Sequence, residues 1–269
     1  MRPKVADLIE LLEELAPSRC AQEWDNPGLQ AGHPSAEAGK ILLTLDPTLQ
    51  TVREAARRKA QVLLSHHPLL FRPLSCLNQG TYPGDVLSEA LASGVCLIAA
   101  HTNLDAAEGG LNDILAGLLQ LTDVRSLQEA PEPECGGAAL GRIGFLPYPI
   151  TASAMAQSVK KALSAERVRG VWSEDTLVRR IAVVAGSGGS MVRVAARMGA
   201  ELLVTGDVTY HQALEAMQVG MPLIDAGHFQ TERAALKPFA DRLRSEMANR
   251  RWDVLLEVFE DERDPFRYE

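Results

Sequence analysis

The stretch KILLTLDPTLQTVREAARRKAQVLLSHH, from Lys40 to His67, holds one complete strand, helix and strand unit. KILLTLD reads as a buried strand, TLQTVREAARRKA as a helix, and QVLLSHH as a second strand. Strands that are apolar throughout, without alternation, are covered on both faces, and helical connections between them are the rhythm of a parallel α/β sheet. DVLSEALASG and VCLIAAH repeat the unit once more. Upstream, Val5, Leu8, Ile9, Leu12 and Leu15 fall at helical spacing, with Pro3 near the start and Pro17 past the end of an amphipathic helix.

The second half has the same grammar. RRIAVVAGSGG reads as a strand, SMVRVAARMGA as a helix, ELLVTGD as a strand, YHQALEAMQVG as a helix and MPLIDAGH as a strand. Aligning Ile41 with Ile181 lays VREAARRKAQVLLSHH over VRVAARMGAELLVTGD without a gap. Val52, Arg53, Ala55, Ala56, Arg57, Ala60 and Leu63 then meet identical residues at Val192, Arg193, Ala195, Ala196, Arg197, Ala200 and Leu203. Much of this identity is Ala, Leu, Val and Arg, so two similar units without common descent stand beside internal duplication as readings. The fold class expected is α/β, with two similar domains and mainly parallel sheets. QEAPEPECGGAALG has the composition of an exposed connection, which sets the halves at residues 1–130 and 131–269. From Arg142 to Thr176 a short strand, IGFLPYP, is expected, then a helix capped by Thr151 or Ser153.

Composition bounds the function. The 269 residues can bury a substantial core, and a hydrophobic share of 46% is ordinary for a globular protein. No apolar run approaches the roughly 20 residues a membrane helix needs. Glu10, Glu13 and Glu14 interrupt the first apolar segment, so no secretory pattern is read there and the cytoplasm is the expected location. Cys20, Cys76, Cys96 and Cys135 form no C-x-x-C pair, which speaks against a zinc knuckle and leaves four reduced, packing cysteines as the expectation. A net charge of -8 argues against nucleic-acid binding through a broad basic face.

The chemistry gathers at strand ends, where ligands of open parallel sheets collect. VLLSHHPLLF carries His66 and His67, LIAAHTNLDAAEGG carries His101 and Asp105, and PLIDAGHFQTE carries His228 and Glu232. Neighbours on a regular strand point to opposite faces, so His66 and His67 share a site only if the chain turns there, as Pro68 favours. Otherwise one packs inside and the other lies on the surface. Glu232 lies four residues after His228, on the same side of a helix's first turn, where an ordinary first-turn glutamate is the plain alternative. Asp105 alone reads as a turn residue. Taken together, three imidazoles and two carboxylates exceed one four-coordinate ion and suit two divalent ions, with zinc, iron, manganese, cobalt and nickel all admissible. Such a centre would attract an anionic or carbonyl-bearing small molecule and activate water. His101 is read as an outer partner or proton carrier, or else as a donor to a backbone carbonyl. His211 and Asp207, in TGDVTYHQ, can reach the same cavity, whereas His33 has the weakest case. AGSGGS, Ala185 to Ser190, reads as a tight turn before a phosphate contact, and Trp24 as either a stacking residue or a buried lid residue.

EWDNPGLQAG, LLSHHPLLF, HTNLDAAEGGLND, TGDVTYHQALEA and DAGHFQTE resemble, in the same order, motifs of the Nif-three-like family, whose members carry the name GTP cyclohydrolase I type 2. The resemblance runs over nearly the whole chain. It implies two interlinked α/β domains, a toroidal homohexamer and a dinuclear metal centre facing an internal cavity. It also implies His66, His67, Asp105, His228 and Glu232 as the metal ligands, and places the chain among the minimal forms that lack an inserted domain. The family name implies hydrolytic opening of the guanine imidazole ring of GTP, although no guanine-binding motif stands in this sequence. Hydrolysis of another nucleotide or small metabolite fits equally, as does a non-catalytic metal-binding, regulatory or metal-chaperone scaffold.

Overall fold

The computed structural model describes residues 1–128, 139–173 and 176–267. The first apolar stretches fold as expected. Helix α1 (Val5–Leu15) buries Val5, Leu8, Leu11 and Leu12. Strands β1 (Gly28–Ala31) and β2 (Lys40–Thr44), helix α2 (Leu49–Arg57), strand β3 (Val62–Ser65), helix α3 (Gly84–Ala92) and strand β4 (Cys96–Ala99) follow. The Thr48 and Thr51 side chains each accept the other's backbone N–H at the start of α2. This reciprocal cap satisfies two end amides of the helix and fixes how the chain leaves β2.

The chain continues through α4 (Thr102–Ala106), α5 (Leu111–Leu118), β5 (Thr122–Ser126), β6 (Arg142–Thr151) and α6 (Ala152–Ala162). Next come β7 (Arg169–Val171), β8 (Leu177–Ser187), α7 (Val192–Arg197), β9 (Leu202–Gly206), α8 (Tyr210–Val219) and β10 (Leu223–Asp225). The long helix α9 (His228–Asn249) and β11 (Leu255–Val258) complete it. The expected short strand IGFLPYP lies within the 10 residues of β6, and Thr151 caps α6 by accepting the Ala154 N–H at 3.1 Å.

Two compact units result. One is Met1–Leu104 with Leu236–Pro265, the other Asp105–Ala235 with the residues from Phe266 onward. The expected division at residue 130 falls outside the described residues. In the first unit the sheet order is β1-β4-β3-β2-β11, with β4, β3, β2 and β11 parallel and β1 antiparallel at the edge. β2, β3 and β4 are buried almost throughout, as their uninterrupted apolar sequences require. Leu42, Leu63 and Leu97 pack there against Val52 and Ala55 of α2 and Val86 and Ala90 of α3.

In the second unit the order is β5-β6-β8-β9-β10-β7. Here β8, β9 and β10 are parallel, while β5, β6 and β7 pair antiparallel. Parallel pairing is therefore the character of both centres, and the second sheet is mixed toward its edges. Leu203, Leu223, Val192, Ala195 and Ala216 form the middle of its core.

Two local expectations are corrected. Asp105, read as a loop residue, sits buried in α4, because the turn that follows His101 closes as helix before Gly109 and Gly110. Cys20 is disulfide-bonded, while Cys76 and Cys96 are free thiols. A bridge need not have the close spacing that C-x-x-C motifs show, so spacing alone gave no sign of it.

Candidate metal centre

β3 ends at Ser65 and the chain bends through His66 and His67. The ladder beside β2 nevertheless continues, with His66 N–H donating to Thr44 O at 3.1 Å and His67 N–H to Leu45 O at 3.0 Å. The bend brings both imidazoles to one side, with ring centroids 5.0 Å apart. His101, two residues beyond the end of β4 at Ala99, completes the group at 5.1 Å from His66 and 5.3 Å from His67. One nitrogen from each of the three lies within 4.8 Å of the other two, which is donor spacing for a cation. The alternative of one packed and one surface histidine is not what the chain does, and His101 stands among the potential donors.

In the second unit α9 begins at His228, so Glu232 sits one turn later on the same face. His228 Nε2 lies 3.1 Å from Glu232 Oε1. Glu232 and Asp105 are both buried, at 3% and 6% exposure, and buried carboxylates stay ionised only beside cations or strong donors. The Asn112 amide donates to the Asp105 carbonyl at 2.9 Å, anchoring the end of α4.

The orientation of the imidazoles is the most informative feature. His66 Nδ1 contacts the Ala100 carbonyl at 2.9 Å, His67 Nδ1 contacts Asp46 Oδ1 at 2.8 Å, and His101 Nδ1 contacts Asp25 Oδ1 at 2.8 Å. His228 Nδ1 meets Asp207 Oδ2 at 2.6 Å. Each partner is an oxygen acceptor, so each Nδ1 carries the proton and donates it. Neutral imidazoles in that tautomer direct the lone pair of Nε2 away from the support, as metal-bound histidines do. His33 makes the contrast: it is exposed, and its Nδ1 accepts the Ser35 N–H at 3.2 Å. His211 is exposed against the Tyr210 ring and joins neither group.

Electrostatics follows from these pairings. Burial works against charge on His228, yet Glu232 and then Asp207 outweigh it and raise its pKa to about 9. In the metal-free protein a proton therefore occupies the place where a cation would bind Nε2. Burial also opposes the charge of Asp25, but hydrogen bonds from His101 and Thr102 hold its pKa down to about 2. The Thr102 N–H and hydroxyl reach Asp25 Oδ2 at 3.0 and 2.5 Å. A donor set of oriented imidazoles and buried carboxylates, with the His228 Nε2 proton given up on binding, fits divalent cations of the zinc to manganese range.

Asp25 and Asp46 support imidazoles of this group, and sequence reading passed them over. Asp25 stands inside EWDN and Asp46 directly follows the first buried strand, but their histidine partners are 76 and 21 residues away. Asp207, noted with His211 in TGDVTYHQ as within reach of the cavity, proves to be the support of His228. Trp24 is 55% exposed, so it is not a buried lid residue; it packs on Phe71 at 5.4 Å and edge-on to His101 at 6.0 Å. The AGSGGS segment is the end of β8 and the turn that follows it. Its amides at Ala185, Gly186 and Gly188 are taken by Asn112 Oδ1, Thr231 Oγ1 and Thr205 Oγ1.

The profile of the family described as Duf34/NIF3 (NGG1p interacting factor 3) matches residues 3–265. The chain belongs to the Duf34/NIF3 family. This Duf34/NIF3 chain is 31% identical over 265 residues to a Clostridium perfringens protein named GTP cyclohydrolase 1 type 2 homolog, covering 98% of this chain and 99% of the relative. It is 30% identical over 269 residues to the Drosophila melanogaster NIF3-like protein 1, covering 97% and 88%. Among solved structures, Staphylococcus aureus protein SA1388 superimposes with a TM-score of 0.93 at 27% identity, covering 99% of each chain. The fold described above is thus that of the Duf34/NIF3 family over its whole length.

Proposed function

We propose that this protein binds two divalent metal ions through His66, His67, Asp105, His228 and Glu232, and that it hydrolyses a nucleotide or other small anionic metabolite. The observation that carries the reading is the common orientation of four imidazoles, each held through Nδ1 by an oxygen so that Nε2 is left for a ligand bond. Divalent cations at such a site supply Lewis acidity and an activated water.

The chain's own residues do the rest. Asp46, Asp25 and Asp207 fix ring orientation and tautomer, which holds the donors ready and makes the imidazoles more basic. Asp105 and Glu232 supply the negative charge that offsets the cations. His101, braced by the buried Asp25, stands beside His66 and His67, either to complete the donors or to carry a proton at Nε2. The relatives' name, GTP cyclohydrolase 1 type 2 homolog, makes GTP the first substrate to try. The assembly expected from the family resemblance is a homohexamer.

The test is a count of bound metal per chain by elemental mass spectrometry, on protein purified without chelators or a histidine tag. Near two metals per chain are expected in the wild type, with a clear fall in both His66→Ala and Glu232→Gln. Turnover of GTP and other nucleotides that follows metal content would then establish the hydrolase. Full metal loading without turnover on a broad nucleotide, phosphoester and amide panel would replace the enzyme with a metal-binding scaffold. No metal even after reconstitution would end both readings.

A further inference from the structure

Beyond the ligands and their direct partners, one side chain from the far end of the sequence reaches the support of His67. Glu262, in the segment after β11, places its carboxylate at the end of β2. It accepts the Thr44 hydroxyl at 2.5 Å, the Leu45 N–H at 2.9 Å and the Asp46 N–H at 3.0 Å. These are the residues at which the buried strand gives way to the turn before α2. Asp46 is the turn residue whose side chain accepts the His67 Nδ1–H.

The backbone of Asp46 is clamped on both sides. Its carbonyl accepts from the Thr51 hydroxyl at 2.9 Å and from the Thr48 N–H at 3.1 Å, both part of the α2 cap. Its N–H goes to Glu262. Among the described residues, the other hydrogen bonds to the Asp46 backbone come from the same short segment, so Glu262 is the hold on that backbone from elsewhere in the chain. Thr44, which gives Glu262 its hydroxyl, is fully buried, and charge-assisted bonds of this kind are about twice as strong as neutral ones.

The second unit makes the point by comparison. Under the alignment of Ile41 with Ile181, Leu45 and Asp46 correspond to Ala185 and Gly186. Their amides are also capped by side chains, Asn112 Oδ1 and Thr231 Oγ1, but both caps are neutral and the residue at position 186 has no side chain to aim. At this pair of equivalent turns, the charged cap and the side chain that orients an imidazole belong to the first unit.

We infer that Glu262 is a positioning residue for the proposed metal centre: it fixes the Asp46 turn, and through Asp46 it fixes the ring of His67. The inference rests on the metal-binding reading of His67 but is tested separately from it. It needs no substrate.

Glu262→Ala, Glu262→Gln and the neighbouring exposed Asp261→Ala would be compared with wild type as full chains. Two readouts serve: Zn2+ affinity by chelator competition, and the Nδ1 and Nε2 nitrogen shifts of His67 in the metal-free protein. Loss of an outer-sphere partner weakens metal binding about 10- to 100-fold, so a partner one bond further out is expected to cost about 3- to 10-fold in Glu262→Ala. Glu262→Gln keeps an oxygen acceptor and should recover most of this, and Asp261→Ala should match wild type. In Glu262→Ala the His67 shifts should move from a fixed Nδ1–H tautomer toward an exchanging mixture. Unchanged Zn2+ affinity and unchanged His67 shifts in Glu262→Ala, with the fold intact by circular dichroism, would reduce Glu262 to a tether of the chain end. Should the wild type bind no metal, the His67 shifts still decide the positioning role alone, because they are read without metal.

Discussion

The two units carry the same parallel core and finish it differently. In the first, Ile41 pairs with Val62 and Leu63 with Leu97; in the second, Ile181 pairs with Leu202 and Leu203 with Leu223. Each central trio has an antiparallel edge strand at one side, β1 against β4 and β7 against β10. The correspondence extends to single hydrogen bonds. Ala60 N–H donates to Ala55 O as Ala200 does to Ala195, and Gln61 N–H donates to Lys40 O as Glu201 does to Arg180. Identical register of the first two strands under the ungapped alignment, which does not extend to Leu97 and Leu223, is what internal duplication predicts. Two unrelated α/β units would share the architecture but would need no such residue-by-residue agreement.

The divergence sits at the strand ends. After Ser65 the first unit has His66 and His67; after Thr205 the second has Gly206 and Asp207. The equivalent of His67 is thus a carboxylate that supports another histidine, His228. A backbone shared this closely, carrying different side chains at its carboxyl ends, separates the residues that make the sheet from those that make the site.

Replacing the equivalent residues His67 and Asp207 tests this division most severely. If the proposed two-metal centre forms, His67→Ala should abolish binding of one metal, because a proposed ligand is gone. Asp207→Asn should leave both metals in place at high concentration but weaken affinity about 10- to 100-fold, or roughly 1.4 to 2.7 kcal/mol, as removal of an orienting partner does. Calorimetric zinc titration of both variants distinguishes the two. Equal losses would mean that Asp207 is itself a ligand and that the two strand ends do the same work.

A comparable test of the shared core uses Leu63 and Leu203, both fully buried. Each Leu→Ala change should cost about 2 to 5 kcal/mol of unfolding free energy, from lost transfer energy and the cavity left behind. Urea denaturation followed by circular dichroism gives the number, read unit by unit if unfolding is not two-state. A cost under about 1 kcal/mol at one position and not the other would break the equivalence of the two cores.

How much of this was legible in the sequence follows from the range of the forces involved. KILLT, VLLS and CLIA declared buried strands because burial on both faces must be written in every residue of a short strand. The ligand types at strand ends were legible for the same reason, since they interrupt that pattern. The return of Leu236–Pro265 to the first unit was not, because β11 is four residues long and its partner β2 lies over two hundred residues earlier. Nor were the carboxylates that aim the imidazoles. Asp25 and Asp46 look like ordinary turn residues locally, and only the folded chain joins them to His101 and His67.

The smallest difference between the units is at the end of the first crossover helix. Lys59 and its equivalent Gly199 both adopt the left-handed conformation, with φ of 58° and 76°. Their N–H groups close the helix in the same way, onto Ala56 O and Ala196 O, each at 2.9 Å. A side chain in this region costs roughly 1 to 2 kcal/mol in backbone strain, while glycine loses more freedom on folding. Lys59→Gly is therefore expected to be stabilising by a few tenths to about 1 kcal/mol, the strain relieved exceeding the added entropy of the unfolded chain. Gly199→Ala should destabilise by about 1 kcal/mol. The added methyl would meet only the guanidinium end of Arg180, which can swing aside, so backbone strain sets the effect. Thermal unfolding of the two variants, measured against wild type, should move in opposite directions. Movement in the same direction would show that the two helix ends, alike in geometry, are held by different neighbours.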